Sequence, residues 1–212
     1  MPDTNLALFV AASLAVIVAP GPDNIYVLTR GIAQGRKVAL ASAWGMCGGL
    51  LFHTTLAAVG LSAILARSAG ALSLVKYIGA AYLVYLGIRA LLSREEFSPS
   101  VEKVFTVKLR NFFLQGLTMN LLNPKVAVFF MAFLPQFVSP SVGTAGSATL
   151  RLVALGLVFA LLSVVIFSAI ALFSGVVGDR LSRNPRFATA LQWSTAFVLV
   201  GLGVRLALSG RQ

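Results

Sequence analysis

Six runs of apolar residues, each long enough to cross a lipid bilayer as a helix, dominate this chain and leave room for little else. A spanning helix needs roughly 20 mainly apolar residues. The runs fall at about Leu6–Leu28, Val38–Leu65, Leu72–Leu92, Phe112–Val138, Leu150–Val177 and Ala188–Leu208. A membrane barrel would instead show many segments of about ten residues with strict alternation, and the chain has none. The expected fold is therefore an all-α integral membrane protein with six transmembrane helices, residues 1–212 forming one domain. Of the 212 residues, 58% are hydrophobic and 11% charged, and the mean hydropathy is +0.90. Soluble domains are nearer one quarter charged, so lipid is the expected solvent. The first run is expected to be retained, because Asp3 and no Lys or Arg precedes it, unlike a cleaved secretion signal.

Charge orients the bundle. The formal net charge of +11 would suggest nucleic acid in a soluble chain. Here the cations sit mostly between runs, as in cytoplasmic loops facing anionic lipid, so no nucleic-acid partner is expected. The first connection carries Arg30, Arg36 and Lys37, the third Arg94, Lys103, Lys108 and Arg110, and the fifth Arg180, Arg183 and Arg186. The opposite side holds only Arg67, Arg151, Arg211 and Arg205. The positive-inside rule then makes the odd connections cytoplasmic and leaves both termini outside. The longest connection, residues 93–111, mixes acids and bases and reads as a cytoplasmic linker between two halves, 1–92 and 112–212.

Those halves look alike. Span three ends Leu86-Gly87-Ile88-Arg89 and span six ends Leu202-Gly203-Val204-Arg205; span one is interrupted at Pro22-Asp23 and span four at Pro124-Lys125. Three spans per half force the second copy upside down, the 3+3 inverted-repeat plan of many secondary transporters.

The interruptions carry the chemistry. In Pro20-Gly21-Pro22-Asp23-Asn24 the prolines cannot continue a helix. The freed carbonyls must find partners in protein or in a watered cavity. Pro22 suits the first position of a new half-helix, with Asp23 and Asn24 at its N-terminus. A carboxylate at membrane depth costs about 2.5–3.5 kcal/mol, which points either to a functional Asp23 or to a kink whose aspartate caps the half-helix. In Asn120-Leu121-Leu122-Asn123-Pro124-Lys125, Asn123 can cap a second half-helix that starts at Pro124. Lys125 then opposes the local dipole and needs an anionic neighbour. Asp23 is the natural one, whether as a structural ion pair or as part of a site. Such a site suits a zwitterion: half-helix amides and Lys125 for a carboxylate, Asp23, Asn24 and Asn120 for an ammonium, with Asp23 also able to take a proton.

Gly45, Gly49 and His53 recur at four-residue spacing and share one helix face. The small residues admit a close neighbour, which would bring His53 to the broken helices as a proton relay or as a packing histidine. The lone Cys47 supplies neither a disulfide nor a thiolate metal site. No nucleotide loop, metal cluster or nucleophile-and-base set appears, so no metal and no cofactor is expected, and uphill transport must use a gradient. A passive channel would call for rings of like charge or carbonyls, and a lipid-acting membrane enzyme for clustered acid, base or metal ligands. Neither is supported.

In these motifs the chain resembles the lysine exporter (LysE) superfamily, and within it the homoserine/threonine-resistance (RhtB) branch of amino-acid efflux proteins. The resemblance spans essentially the whole chain. It rests on Pro20 to Asn24, Gly31 with Gly35, Gly45 and Gly49 with His53, Gly60-Leu61, Lys76 to Leu83, Asn120 to Lys125 and Phe133-Leu134-Pro135-Gln136-Phe137. It implies a bacterial inner-membrane exporter of small amino acids or derivatives, driven by the proton-motive force and often a homodimer. It also implies that the Pro-Gly-Pro and Asn-Pro-Lys segments line the pathway.

Overall fold

The computed structural model describes residues 3–65, 69–92, 108–138 and 145–208, and they are helical throughout, with no strand among them. Eight α-helices follow in order: α1 Asp3–Val18, α2 Pro22–Gln34, α3 Arg36–Leu65, α4 Ala69–Leu92, α5 Leu109–Leu121, α6 Pro124–Val128, α7 Ala145–Arg183 and α8 Pro185–Leu208. A π-helical turn, Phe129–Phe133, and a 3₁₀ turn, Leu134–Phe137, prolong α6.

Both expected interruptions are present. The axis bends by 53° between α1 and α2 and by 49° between α5 and the segment Pro124–Phe137. Each second half starts on a proline, whose missing N–H costs nothing at a first helical position. Span one does not end near Leu28, as the fading hydropathy suggests, because α2 continues through Thr29, Arg30 and Gln34. The break consequently lies near the middle of the bent pair rather than near one end. Helix α2 stops at Gly35, whose φ of +87° belongs to the left-handed region that a side chain disfavours. That one residue is the whole connection to α3, so Arg30, Arg36 and Lys37 stand on helices and not in a loop. Likewise only Asn184 separates α7 from α8, with Arg180 and Arg183 inside α7. Most of the 93–111 linker lies outside the described residues; its last positions, from Leu109, already belong to α5.

By length and composition alone, stretches within α4, α7 and α8 qualify as spans, and each bent pair taken as one span makes five. Helix α3, with Trp44, Leu51, Phe52, Leu56 and Val59 exposed on its surface, falls outside that number. It is nevertheless central, packing against α5 and α7, while α4 packs on α8 and α2 on both α7 and α3. A β-carbon on Gly45 would run into the Phe113 carbonyl, and one on Gly116 into the Ser42 carbonyl. These two bare positions are what let α3 and α5 touch backbone to backbone.

The α4–α8 seam has a mirrored pattern. A β-carbon on Gly87 would come 2.6 Å from Val200 Cγ2 and 2.9 Å from the Ala196 carbonyl; one on Gly203 would come 2.8 Å from both the Ala80 carbonyl and Val84 Cγ2. The two helices run antiparallel, as Gln192 Nε2 donating to the Ala90 carbonyl at 2.6 Å also requires.

An aromatic cluster fills the core beyond the second break. Phe129 stacks on Phe133 at 5.1 Å and contacts Phe159 at 4.9 Å, and Phe9 meets Phe137 edge-on at 5.2 Å. The outer surface is apolar as well, with Trp44, Phe52, Leu161, Phe173, Trp193 and Phe197 all more than half exposed. Such a surface suits lipid and would aggregate in water.

Candidate functional site

The two breaks meet. Helices α1 and α5 end, and α2 and α6 begin, around one cluster of buried polar side chains: Asp23, His53, Asn120, Asn123 and Lys125. Two negative and two positive helix ends therefore converge where the polar groups lie.

At the end of α1 the last intrahelical bond runs from Ala19 N–H to the Ala15 carbonyl. The next four carbonyls have no helical partner, and two side chains take all of them. Asn24 Nδ2 donates to Ile17 O at 2.9 Å and to Val18 O at 3.4 Å. Lys125 Nζ donates to Val16 O at 3.2 Å and to Ala19 O at 3.0 Å. The anionic neighbour that Lys125 needs is thus the carbonyl end of α1. Lys125 and Asp23 form no ion pair, whereas Arg183 and Asp179 do so on the surface. The expected Asp23–Lys125 pairing is corrected accordingly: helix-end carbonyls attract an ammonium as a carboxylate does, and these lie closer.

Asp23 is 1% exposed and accepts a bond from Asn120 Nδ2 at 3.1 Å through Oδ2. Its Oδ1 has no partner. Asn123 stands beside it, its own Nδ2 short of hydrogen-bond geometry, while Asn123 Oδ1 caps α6 by accepting from Lys125 N–H at 3.0 Å, as the sequence predicts. Asn24 Oδ1 and Asn120 Oδ1 are also buried without partners. Each such atom costs about 1–3 kcal/mol, so the cluster is expensive as it stands and is suited to something that brings hydrogen bonds.

The Gly45, Gly49 and His53 face of α3 is turned to α5, as its spacing predicts. Bare Gly49 admits the Asn120 side chain, whose Oδ1 would lie 2.6 Å from a β-carbon there. His53 Nε2 lies 3.1 Å from the Asn120 carbonyl, and its ring faces Phe130 at 5.8 Å. Asn120 thus joins the histidine, through its carbonyl, to the aspartate, through its amide. Gly21 plays the equivalent part at the other break: a β-carbon would sit 2.9 Å from Lys125 Nζ. Pro20 lies in the bend itself, between the two half-helices.

One arrangement is not legible in the sequence. On α2, Tyr26 Oη donates to Gln115 Oε1 of α5 at 2.6 Å, and Arg30 donates to the same oxygen at 3.4 Å. The Arg30 guanidinium also lies over the rings of Tyr26 and Phe112, at 4.9 and 5.2 Å from their centroids. This clasp ties the two half-helices that flank the cluster. Read as a loop charge, Arg30 gives no hint of it; Gln115 within an apolar run is the only trace.

Residues 14–210 match the model of the LysE type translocator family. Among relatives, the chain is 32% identical to a threonine efflux protein of Escherichia coli (strain K12) over 145 residues, covering 66% of this chain and 70% of that one. It is 28% identical to a leucine efflux protein of Enterobacter sp. (strain 638), covering 96% and 95%. With the uncharacterized membrane protein YrhP of Bacillus subtilis (strain 168) it shares 29% identity, covering 97% and 99%. No solved structure matches.

Proposed function

Since this chain belongs to the LysE type translocator family, we propose that it is a secondary transporter exporting small amino acids or close derivatives across a bacterial inner membrane in exchange for protons. The observation that carries the reading is the unpartnered Asp23 Oδ1, buried with Asn120 and Asn123, which also carry unpartnered atoms, where two broken helices meet. A free ammonium satisfies Asp23 Oδ1, and a carboxylate satisfies Asn123 Nδ2 and the first N–H groups of α2, which no side chain caps. A zwitterion does both at once. The names of the threonine and leucine efflux relatives support that substrate class. Asp23 is the proton carrier in this scheme, and Asn120 holds it and His53 to one cluster.

The scaffold in this proposal is two inverted halves, 1–92 and 112–212, with α3 as the sixth span. The mirrored contacts of Gly87 and Gly203 support it, since each half supplies the same Ala, Val and Gly positions to the seam. Both termini then lie outside the cytoplasm. A reporter fused after Gln212 is expected to be active only on the outer side, and cytoplasmic activity would refute this orientation.

Transport is tested with inverted vesicles containing the protein, given labelled threonine, homoserine, leucine and lysine. Accumulation of one or a few of these, collapsed by a protonophore, is the expected result. If none accumulates while the protein is folded in the membrane, the efflux reading fails.

A further inference from the structure

The bond pattern of Lys125 is unusual for a buried cation in one respect: its partners are main-chain carbonyls at a helix end rather than a carboxylate. Carbonyls at the ends of discontinuous membrane helices are where transporters of this general build hold free monovalent cations. The reason is electrostatic, because the end of α1 carries the negative pole of its dipole and unpaired acceptors with no water supply. Here the positive charge arrives on a side chain. The lysine enters from the wrong pole of α6, capped by Asn123, and reaches the favourable pole of α1. Gly21, which cannot carry a β-carbon without crowding Nζ, keeps that route clear.

We propose that Lys125 is a tethered cation, its ammonium filling at the Val16 and Ala19 carbonyls a site for a free monovalent cation and joining the two halves of the bundle there. Lys125 is therefore a positioning residue: it fixes the end of α1, and with it the bend that presents Asp23. No dissociable metal cation is needed to hold the break. The consequence for transport rests on the efflux reading, whereas occupancy of the carbonyls does not.

The test removes the tether and supplies the charge separately. Lys125→Ala deletes the stem and ammonium and leaves space at the carbonyls. The purified full-length variant is expected to melt below the parent. Methylammonium at saturating concentration should raise its melting temperature by about 2–4 °C while leaving the parent unmoved. In inverted vesicles driven by a membrane potential, which a permeant weak base does not collapse as it does a pH gradient, the lost transport should recover at least tenfold with methylammonium. Tetramethylammonium, equally charged but without N–H donors, should do neither. Lys125→Met fills the space without a donor and should stay inactive with or without amine. Gly21→Ala, which retains the lysine but crowds Nζ, should also lose transport.

The assignment is overturned if methylammonium shifts parent and Lys125→Ala alike, if tetramethylammonium works as well, or if Lys125→Met or Gly21→Ala transports at the parental rate. A specific thermal response with no transport by the parent would keep the tethered cation and discard the efflux reading. Parental transport with no response in either assay would do the reverse. Should Lys125→Ala not fold, Lys125→Met and Gly21→Ala decide the matter.

Discussion

Asp23→Asn reduces gradient-driven accumulation to the level of vesicles without the protein, while the variant reaches the membrane folded. The amide has the shape of the carboxylate and can still accept from Asn120 Nδ2, the bond that Oδ2 accepts at 3.1 Å. The cost to the fold is therefore limited to the difference between a charged and a neutral acceptor, about 1–2 kcal/mol. What the substitution removes is the only carboxylate in the buried cluster, and with it both the proposed proton site and the proposed counter-charge for a substrate ammonium. Stability and transport should thus separate, with a small loss in the first and a complete loss in the second. Accumulation at the normal rate would take the aspartate out of the mechanism and leave it as a helix-start residue. The measurement pairs vesicle transport with a melting curve on the same preparation, so that loss of fold cannot pass for loss of coupling.

The second large effect is structural. Gly45→Ala is expected to yield no stably folded protein, at a cost of about 3 kcal/mol or more. The added carbon would meet the Phe113 carbonyl and lie 3.0 Å from Leu117 N, so backbone and not a yielding side chain is in the way. Parting α3 from α5 also withdraws Gly49 and His53 from Asn120. Gly60→Ala on the same helix is the control, since nothing lies within 4 Å of a β-carbon there, and it should change stability by about 0.5 kcal/mol or less. Equal melting temperatures for the two variants would show that the α3–α5 seam does not depend on its bare positions.

How much of this can be read in the chain follows from which interactions are local. Pro22, Pro124 and the Asn123 cap act within a turn of their own positions, so the breaks and the second half-helix are visible as letters. The face formed by Gly45, Gly49 and His53 is visible for the same reason, since helical spacing alone assigns it. The partner of Lys125 is not, because a main-chain carbonyl has no letter and the nearest opposite charge in the motif pattern is Asp23. The length of α2 is hidden by Thr29, Arg30 and Gln34, whose polarity reads as a loop although Gly35 alone turns the chain. Helix α3 faces both ways: Gly45, Gly49 and His53 lie against its neighbours while Trp44, Phe52 and Val59 are exposed, and no letter says which helix it packs on. The π-helical turn at Phe129–Phe133 leaves no trace in a run of apolar residues.

The capping of α1 also fixes an order of events during synthesis. The carbonyls of Val16 and Ala19 wait for a lysine 109 and 106 residues downstream. At translation rates of about 5–20 residues per second, that lysine emerges roughly 5–20 s after the carbonyls it will hold. For that interval the first half-helix pair has an open polar end, which the insertion machinery or interfacial water must serve. The first bent helix pair thus waits in the membrane until α6 arrives, and its break sets the moment at which assembly can be completed.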